Sequence, residues 1–198
     1  MTLIHNAFAF NRFIKLPGAM GFAGILFLSI IGANLATTIQ KDNIDDTDTQ
    51  AVMKANFLFH FAASNEWPVE TKAGSFRMVV VENERLFAEL IDKYALKPIG
   101  VQPLEIIFAE KPSDVNVLDV PHMIYVESTE ELGAFAEQWE DQPILIVTDS
   151  EAGLAEGSII NFVAVDRRLR YEINAKQAAK KGLLIGSRIL SWAINSDQ

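Results

Sequence analysis

From Gln50 onward the chain alternates short apolar runs with longer stretches whose apolar residues recur every three or four positions, the pattern of strands separated by helices. The first periodic stretch puts Val52, Ala55, Phe59 and Ala62 on one stripe, with Phe57 and Phe61 widening it. Trp67-Pro68 closes this helix, because the residue before a proline is pushed out of the helical region. Phe76 to Val81 is the first strand, and Asn83 stands where it can cap a helix that carries Leu86, Phe87, Leu90 and Ile91. Lys97-Pro98 ends that unit. Leu104 to Ala109 and Met123 to Val126 are the next strands, with a short helix or turn expected over Val117 to Val120. Ser128 and Glu131 then form a capping box that opens a helix with Leu132, Phe135, Ala136 and Trp139 inward. Pro143 to Val147 is a fourth strand, closed by the turn formers Thr148-Asp149-Ser150.

The last third of the chain has a different rhythm. Ile159 to Val165 and Leu169 to Ile173 alternate on either side of the polar turn Asp166-Arg167-Arg168, which predicts an antiparallel hairpin. Leu169, Tyr171 and Ile173 share one of its faces, Arg170 and Glu172 the other. Asn174 and Gln177 make a capping box for a C-terminal helix carrying Leu183, Leu184, Ile189 and Leu190. Strands joined through helical segments imply crossover connections. The expected fold class is therefore α/β: three layers, a mainly parallel sheet with helices on both faces, and a C-terminal β-hairpin plus helix. Trp67, Phe76, Trp139 and Trp192 are expected in its core, where large aromatics in apolar segments belong.

Residues 1–36 are of another kind. Arg12 and Lys15 are the only charged side chains before Lys41, and Gly18 to Ile31 is strongly apolar. A basic start followed by an apolar run is the layout of a signal peptide, and the uncharged stretch is also long enough for an N-terminal anchor. Four glycines (Gly18, Gly21, Gly24 and Gly32) argue against a buried helix of a cytosolic domain. Residues 37–49 read as an acidic linker, and residues 50–195 as one α/β domain. Asp42, Asp45, Asp46 and Asp48 lack the central glycine and distal glutamate of a calcium loop.

Beyond residue 36 the chain keeps all 26 acidic residues and loses only Arg12 and Lys15 of its 17 basic ones, so its formal charge falls from −9 to −11. A domain of that charge is a poor partner for nucleic acid or anionic lipid. Without cysteine it has no disulfide, thiolate metal site or cysteine nucleophile. The fingerprints of dinucleotide, P-loop, zincin and α/β-hydrolase sites are missing from the sequence. No catalytic, cofactor-binding or metal-binding residue is assigned. His60 is expected as a packed or surface residue of its helix. Thr148-Asp149-Ser150 stands at the carboxyl end of a strand, where α/β folds place function, although Asp and Ser there more simply cap the next helix.

Two blocks carry a resemblance. Lys54-Ala55-Asn56-Phe57-Leu58-Phe59-His60-Phe61 with Glu66-Trp67-Pro68 resembles the opening signature of the YfiR-like family of bacterial periplasmic proteins. Gly157 to Val163, Leu169 to Asn174 and Ala178 to Leu190 resemble its closing signature, so the likeness spans about Gln50 to Ile194. It implies a non-catalytic periplasmic regulator that docks on the periplasmic part of an inner-membrane diguanylate cyclase and represses it, lowering cyclic-di-GMP. Redox control belongs to cysteine-bearing members and is not implied here. The resemblance leaves room for a homodimer, and no lipid contact is expected beyond an N-terminal anchor. The alternative is a periplasmic small-molecule binding or sensing domain that uses the crevice at the switch point of the sheet. For docking, Ile160, Phe162, Glu172 and Ala178 form the expected patch: Glu172 faces outward beside Ile160 or Phe162, register deciding their exposure, and Ala178 permits close approach.

Overall fold

In the computed structural model, which describes residues 46–115, 119–128 and 139–194, the apolar runs assemble into one six-stranded sheet. Its strands are β1 (Phe76–Val81), β2 (Leu104–Ala109), β3 (Met123–Val126), β4 (Leu145–Thr148), β5 (Ile160–Val165) and β6 (Arg168–Ile173), in the order β2-β1-β3-β4-β5-β6. The first five are parallel, and β6 pairs antiparallel with β5. This is a doubly wound order whose switch point lies between β1 and β3, extended by one antiparallel edge strand. The α/β class and the closing hairpin are as the sequence pattern predicts.

Strands β3 and β4 are buried at every position because both faces of the sheet are covered. Met78, Val80, Met123, Tyr125, Leu145 and Val147 face one core, which also holds residues of α1 (Asp46–Ser64), α2 (Glu84–Tyr94), α4 (Ala175–Lys180) and α5 (Ser187–Trp192). On the other face, Val79, Val81, Ile124, Val126 and Ile146 pack with Trp139 and with Val115 of α3 (Pro112–Val115). The expected helix after Ser128 falls on residues 129–138, outside the described residues. A short helix lies between β2 and β3 at Pro112–Val115, and the short helix or turn expected from Val117 begins on residues 116–118, outside the described residues.

Three expectations are corrected. Helix α1 begins at Asp46, so residues 46–49 form its first turn, where the carboxylate of Asp48 suits the positive end of the helix dipole and pairs with Arg85 at 2.6 Å. Its buried stripe is Ala51, Ala55, Leu58 and Ala62 with Lys54 and Phe61, while Val52 is exposed. This orientation of α1 carries Lys54 inward. The C-terminal helix is not continuous. Gly182, with φ +73°, ends α4 in a left-handed cap in which Leu183 N–H donates to Ala178 O at 2.9 Å and Gly182 N–H to Ala179 O at 3.0 Å. Leu183 is consequently buried, but Leu184 is exposed and bridges to Glu66. The third correction is Trp192, which is 54% exposed, whereas Trp67, Phe76 and Trp139 are buried.

His122 is a structural residue at the amino end of β3. Its Nδ1 accepts from Arg77 N–H at 3.1 Å, its Nε2 lies 2.8 Å from Thr71 O, and its ring stacks on Phe76 at 4.6 Å. One nitrogen must accept, so the ring is held neutral. Burial lowers its pKa, the Thr71 carbonyl opposes that, and Arg77 adds to it. A histidine whose folded pKa is depressed binds fewer protons folded than unfolded, so its contribution is intact above the ordinary value of about 6.5 and is lost as pH falls through the lower folded pKa. Thermal midpoints measured from pH 7.5 to pH 5 are expected to fall more steeply in the wild type than in His122→Gln. Parallel slopes would exclude His122 as the titrating group.

Candidate functional site

Asn83, Glu127 and Asp149 follow the carboxyl ends of β1, β3 and β4, around the switch point of the sheet. Lys54 reaches them from α1 with a side chain only 7% exposed. Its ammonium lies 2.5 Å from Asp149 and 3.9 Å from Glu127, and donates to the Tyr125 hydroxyl at 3.1 Å. Glu127 also accepts from Asn83 Nδ2. Burial, then the carboxylates of Glu127 and Asp149, push the Tyr125 pKa up, so the phenol stays protonated and points its proton toward Glu127, 3.5 Å away. An ammonium already paired and a phenol held neutral are poor nucleophiles and poor bases. Their chemistry here is to fasten α1 over the ends of three strands. Beside Asp149 a cleft of about 370 Å³ opens between Thr49, Gln50 and Met53 of α1 and the hairpin residues Ala164, Arg167, Arg168 and Leu169.

No helix follows Thr148-Asp149-Ser150; turns run through residues 151–157 instead. Thr148 Oγ1 lies 2.7 Å from Asn161 Oδ1 and 3.0 Å from Ser158 Oγ, and Asn161 Oδ1 also accepts from Ser150 N–H at 3.1 Å. Glu172 completes this chain by accepting from Asn161 Nδ2 at 3.0 Å. The motif read as a candidate site is thus part of a buried polar lock on the second face of the sheet.

The register Ile160↔Ile173 and Phe162↔Tyr171 decides the expected docking patch. Residues directly opposite in a ladder point the same way, so Ile160 and Phe162 share the core face with Tyr171 and Ile173. Ile160, Phe162 and Ala178 are buried, while Glu172 lies half-buried on the opposite face beside Asn161. The structure therefore does not join these four residues into one exposed surface.

An accessible apolar surface lies instead along α1, β6 and α5. Phe57, His60, Tyr171, Arg188, Ile189 and Trp192 line about 280 Å³ of a groove there, together with Asn56 and Ser64. Phe57, Arg170, Tyr171, Ser191 and Trp192 line an adjoining stretch of about 360 Å³. His60 is exposed on its rim, a surface residue as expected. Tyr171 is fixed from below, its hydroxyl donating to Ile189 O at 2.8 Å and its ring edge-on to Phe57 at 5.4 Å. Burial raises the Tyr171 pKa, which keeps that donor in place. Arg188 stands 5.2 Å from the Trp192 ring, within cation–π range, and Arg170 donates to Trp192 O at 3.3 Å. Among the described residues, none that lines the groove is acidic, in a chain of formal charge −9. Sequence reasoning missed this groove because Trp192 reads as core; the signal present is Arg188 four residues before it on one helix.

Residues 51–194 match the family described as YfiR/HmsC-like. The chain belongs to this family. In the YfiR-like domain the opening and closing signature blocks meet: Phe61 packs on Phe162 at 5.9 Å and on Tyr171 at 4.9 Å. No curated protein matches the chain. A solved structure of a conserved domain protein from Vibrio cholerae O1 biovar eltor is similar at 13% identity, with a TM-score of 0.47, over 74% of this chain and 60% of that one. The YfiR-like chain thus spans 60% of that protein's length. Among the described residues, no helix is long and apolar enough to cross a membrane, and no group of three His, Cys, Asp or Glu could hold a metal ion.

Proposed function

We propose that this YfiR-like protein is a non-catalytic periplasmic regulator that docks on the periplasmic part of an inner-membrane diguanylate cyclase and represses it. The observation that supports this most is the family match across residues 51–194. Two further features agree with it. The basic and apolar layout of residues 1–36 suits export, and the groove beside Trp192 offers apolar anchors with charged residues around them, as a docking surface needs.

Deleting the gene in its native host is expected to raise cyclic-di-GMP and surface attachment. The full chain should restore both, whereas a chain lacking residues 1–36 should not, because it stays on the wrong side of the membrane. A reporter that works only outside the cytoplasm, fused after Gln50, should give signal. Unchanged cyclic-di-GMP on deletion, or equal rescue by the leaderless chain, would overturn the proposal.

A second reading, small-molecule sensing, draws on the cleft beside Asp149, whose volume of about 370 Å³ is in the range of ligand sites. A neighbouring gene for a transmembrane cyclase favours regulation; a neighbouring transporter gene favours sensing.

A further inference from the structure

The tip of the closing hairpin has a backbone that its sequence does not favour. Val165 pairs with Arg168, so the turn consists of Asp166 and Arg167 alone, and both have positive φ, +50° and +59°. A two-residue turn of that hand matches the twist of the flanking strands, and its second position is ordinarily glycine, because a side chain there crowds the backbone. Arg167 holds that position at a cost in stability, and costs of this kind collect where a side chain serves a ligand. Arg167 and its neighbour Arg168 line the cleft of about 370 Å³ beside Asp149. Thr49 and Gln50, exposed near the start of α1, bring a hydroxyl and an amide to the same cleft. Met53, Ala164 and Leu169 give it an apolar surface that is aliphatic rather than aromatic. Among the described residues that line it, Asp149 is the one carboxylate, and its charge is met by the Lys54 ammonium at 2.5 Å. Two guanidinium groups therefore set the sign of the cleft, although the chain as a whole carries −9. Salt screens exposed charges beyond about 8 Å, so a small ligand meets the arginines rather than the distant acids.

We infer that this cleft binds a short aliphatic carboxylate. The planar forks of Arg167 and Arg168 match the two oxygens of a carboxylate, and the Gln50 amide and Thr49 hydroxyl supply further donors. The hydrocarbon chain lies along Met53, Ala164 and Leu169, whose flexible or small groups fit an aliphatic body. The arginine at the glycine position of the turn is the feature that a purely structural hairpin does not need. This inference rests on the small-molecule sensing reading above and gives that cleft a ligand class.

Hexanoate titrated into the isotope-labelled exported protein is expected to shift the backbone amide signals of Gln50, Met53 and Arg168 together, saturating at about millimolar concentration, the affinity open to a ligand of so few atoms. Acetate, which lacks the apolar body, and hexylamine, which carries the opposite charge, should each bind about tenfold more weakly or worse. Arg167→Gly separates binding from folding. It puts the favoured residue into the turn, so the thermal midpoint should hold or rise while hexanoate binding weakens by about tenfold or more. Arg168→Gln should weaken binding in the same way and leave the midpoint within a few degrees. Hexanoate binding that both variants keep would overturn the role of the arginines and the inference with it. Hexylamine or hexan-1-ol binding there as tightly as hexanoate would overturn the ligand class and leave the sensing reading standing. Signals that none of the acid, the alcohol and the amine can shift would overturn both the sensing reading and the inference.

Discussion

Phe162→Ala is expected to cost about 3–5 kcal/mol of unfolding free energy, the range for truncating a large aromatic in a packed core. Phe162 is 1% exposed and has Phe57 and Phe61 at 5.9 Å and Tyr125 at 6.4 Å, so its removal opens a cavity beneath α1 that the rigid sheet cannot close. Glu172→Lys, on the opposite face of the same hairpin, is expected to cost only about 1–2 kcal/mol, since it breaks one part-buried hydrogen bond to Asn161. Chemical denaturation of both variants checks the register. A cost below about 1 kcal/mol for Phe162→Ala would mean that Phe162 faces solvent and that the hairpin is paired one residue out of step.

Asp149→Ala should cost about 3 kcal/mol, because it strips the nearest counter-charge from a buried ammonium. Lys54 has its Asp149 oxygen at 2.5 Å and Glu127 at 3.9 Å, so the more distant carboxylate offsets part of the loss. Replacing both members, Lys54→Met with Asp149→Ala, is expected to recover most of it, since an apolar side chain in that position has no charge to desolvate. The two single variants and the double variant form a mutant cycle. A cycle with no coupling would show that α1 is held by its apolar stripe alone.

The strand positions could be read from residue pattern because sheet strands buried on both faces are written as unbroken apolar runs, as in Met123–Val126 and Leu145–Thr148. Asn83 and Asn174 were equally readable as caps, each side chain accepting from a backbone N–H three residues on. What pattern could not give was orientation about an axis. Helix α1 is apolar on more than one side, so its periodicity leaves several stripes open, and the inward turn of Lys54 depends on an aspartate about a hundred residues away. The docking patch failed for a related reason. Ile160 and Phe162 lie on an alternating strand, and only the register with β6 sends them inward. The break at Gly182 is, by contrast, written in the sequence as Lys180-Lys181-Gly182, a basic last turn followed by glycine, which outweighs the apolar stripe that continues past it. The groove beside Trp192 is made by three elements distant in sequence, and no local signal announces such a place.

The meeting of α1 with the final hairpin also sets an order of events in time. Phe57 and Phe61 have their aromatic seat in Phe162 and Tyr171, so the first helix of the domain is completed only by strands β5 and β6, far along the chain. Contacts that span so much sequence carry a large loop-closure cost and slow the search for the native state. A nascent chain will therefore hold α1 unseated, with its phenylalanines in the open, until the hairpin has emerged. That delay leaves the polypeptide a client for chaperones until the two segments close on each other.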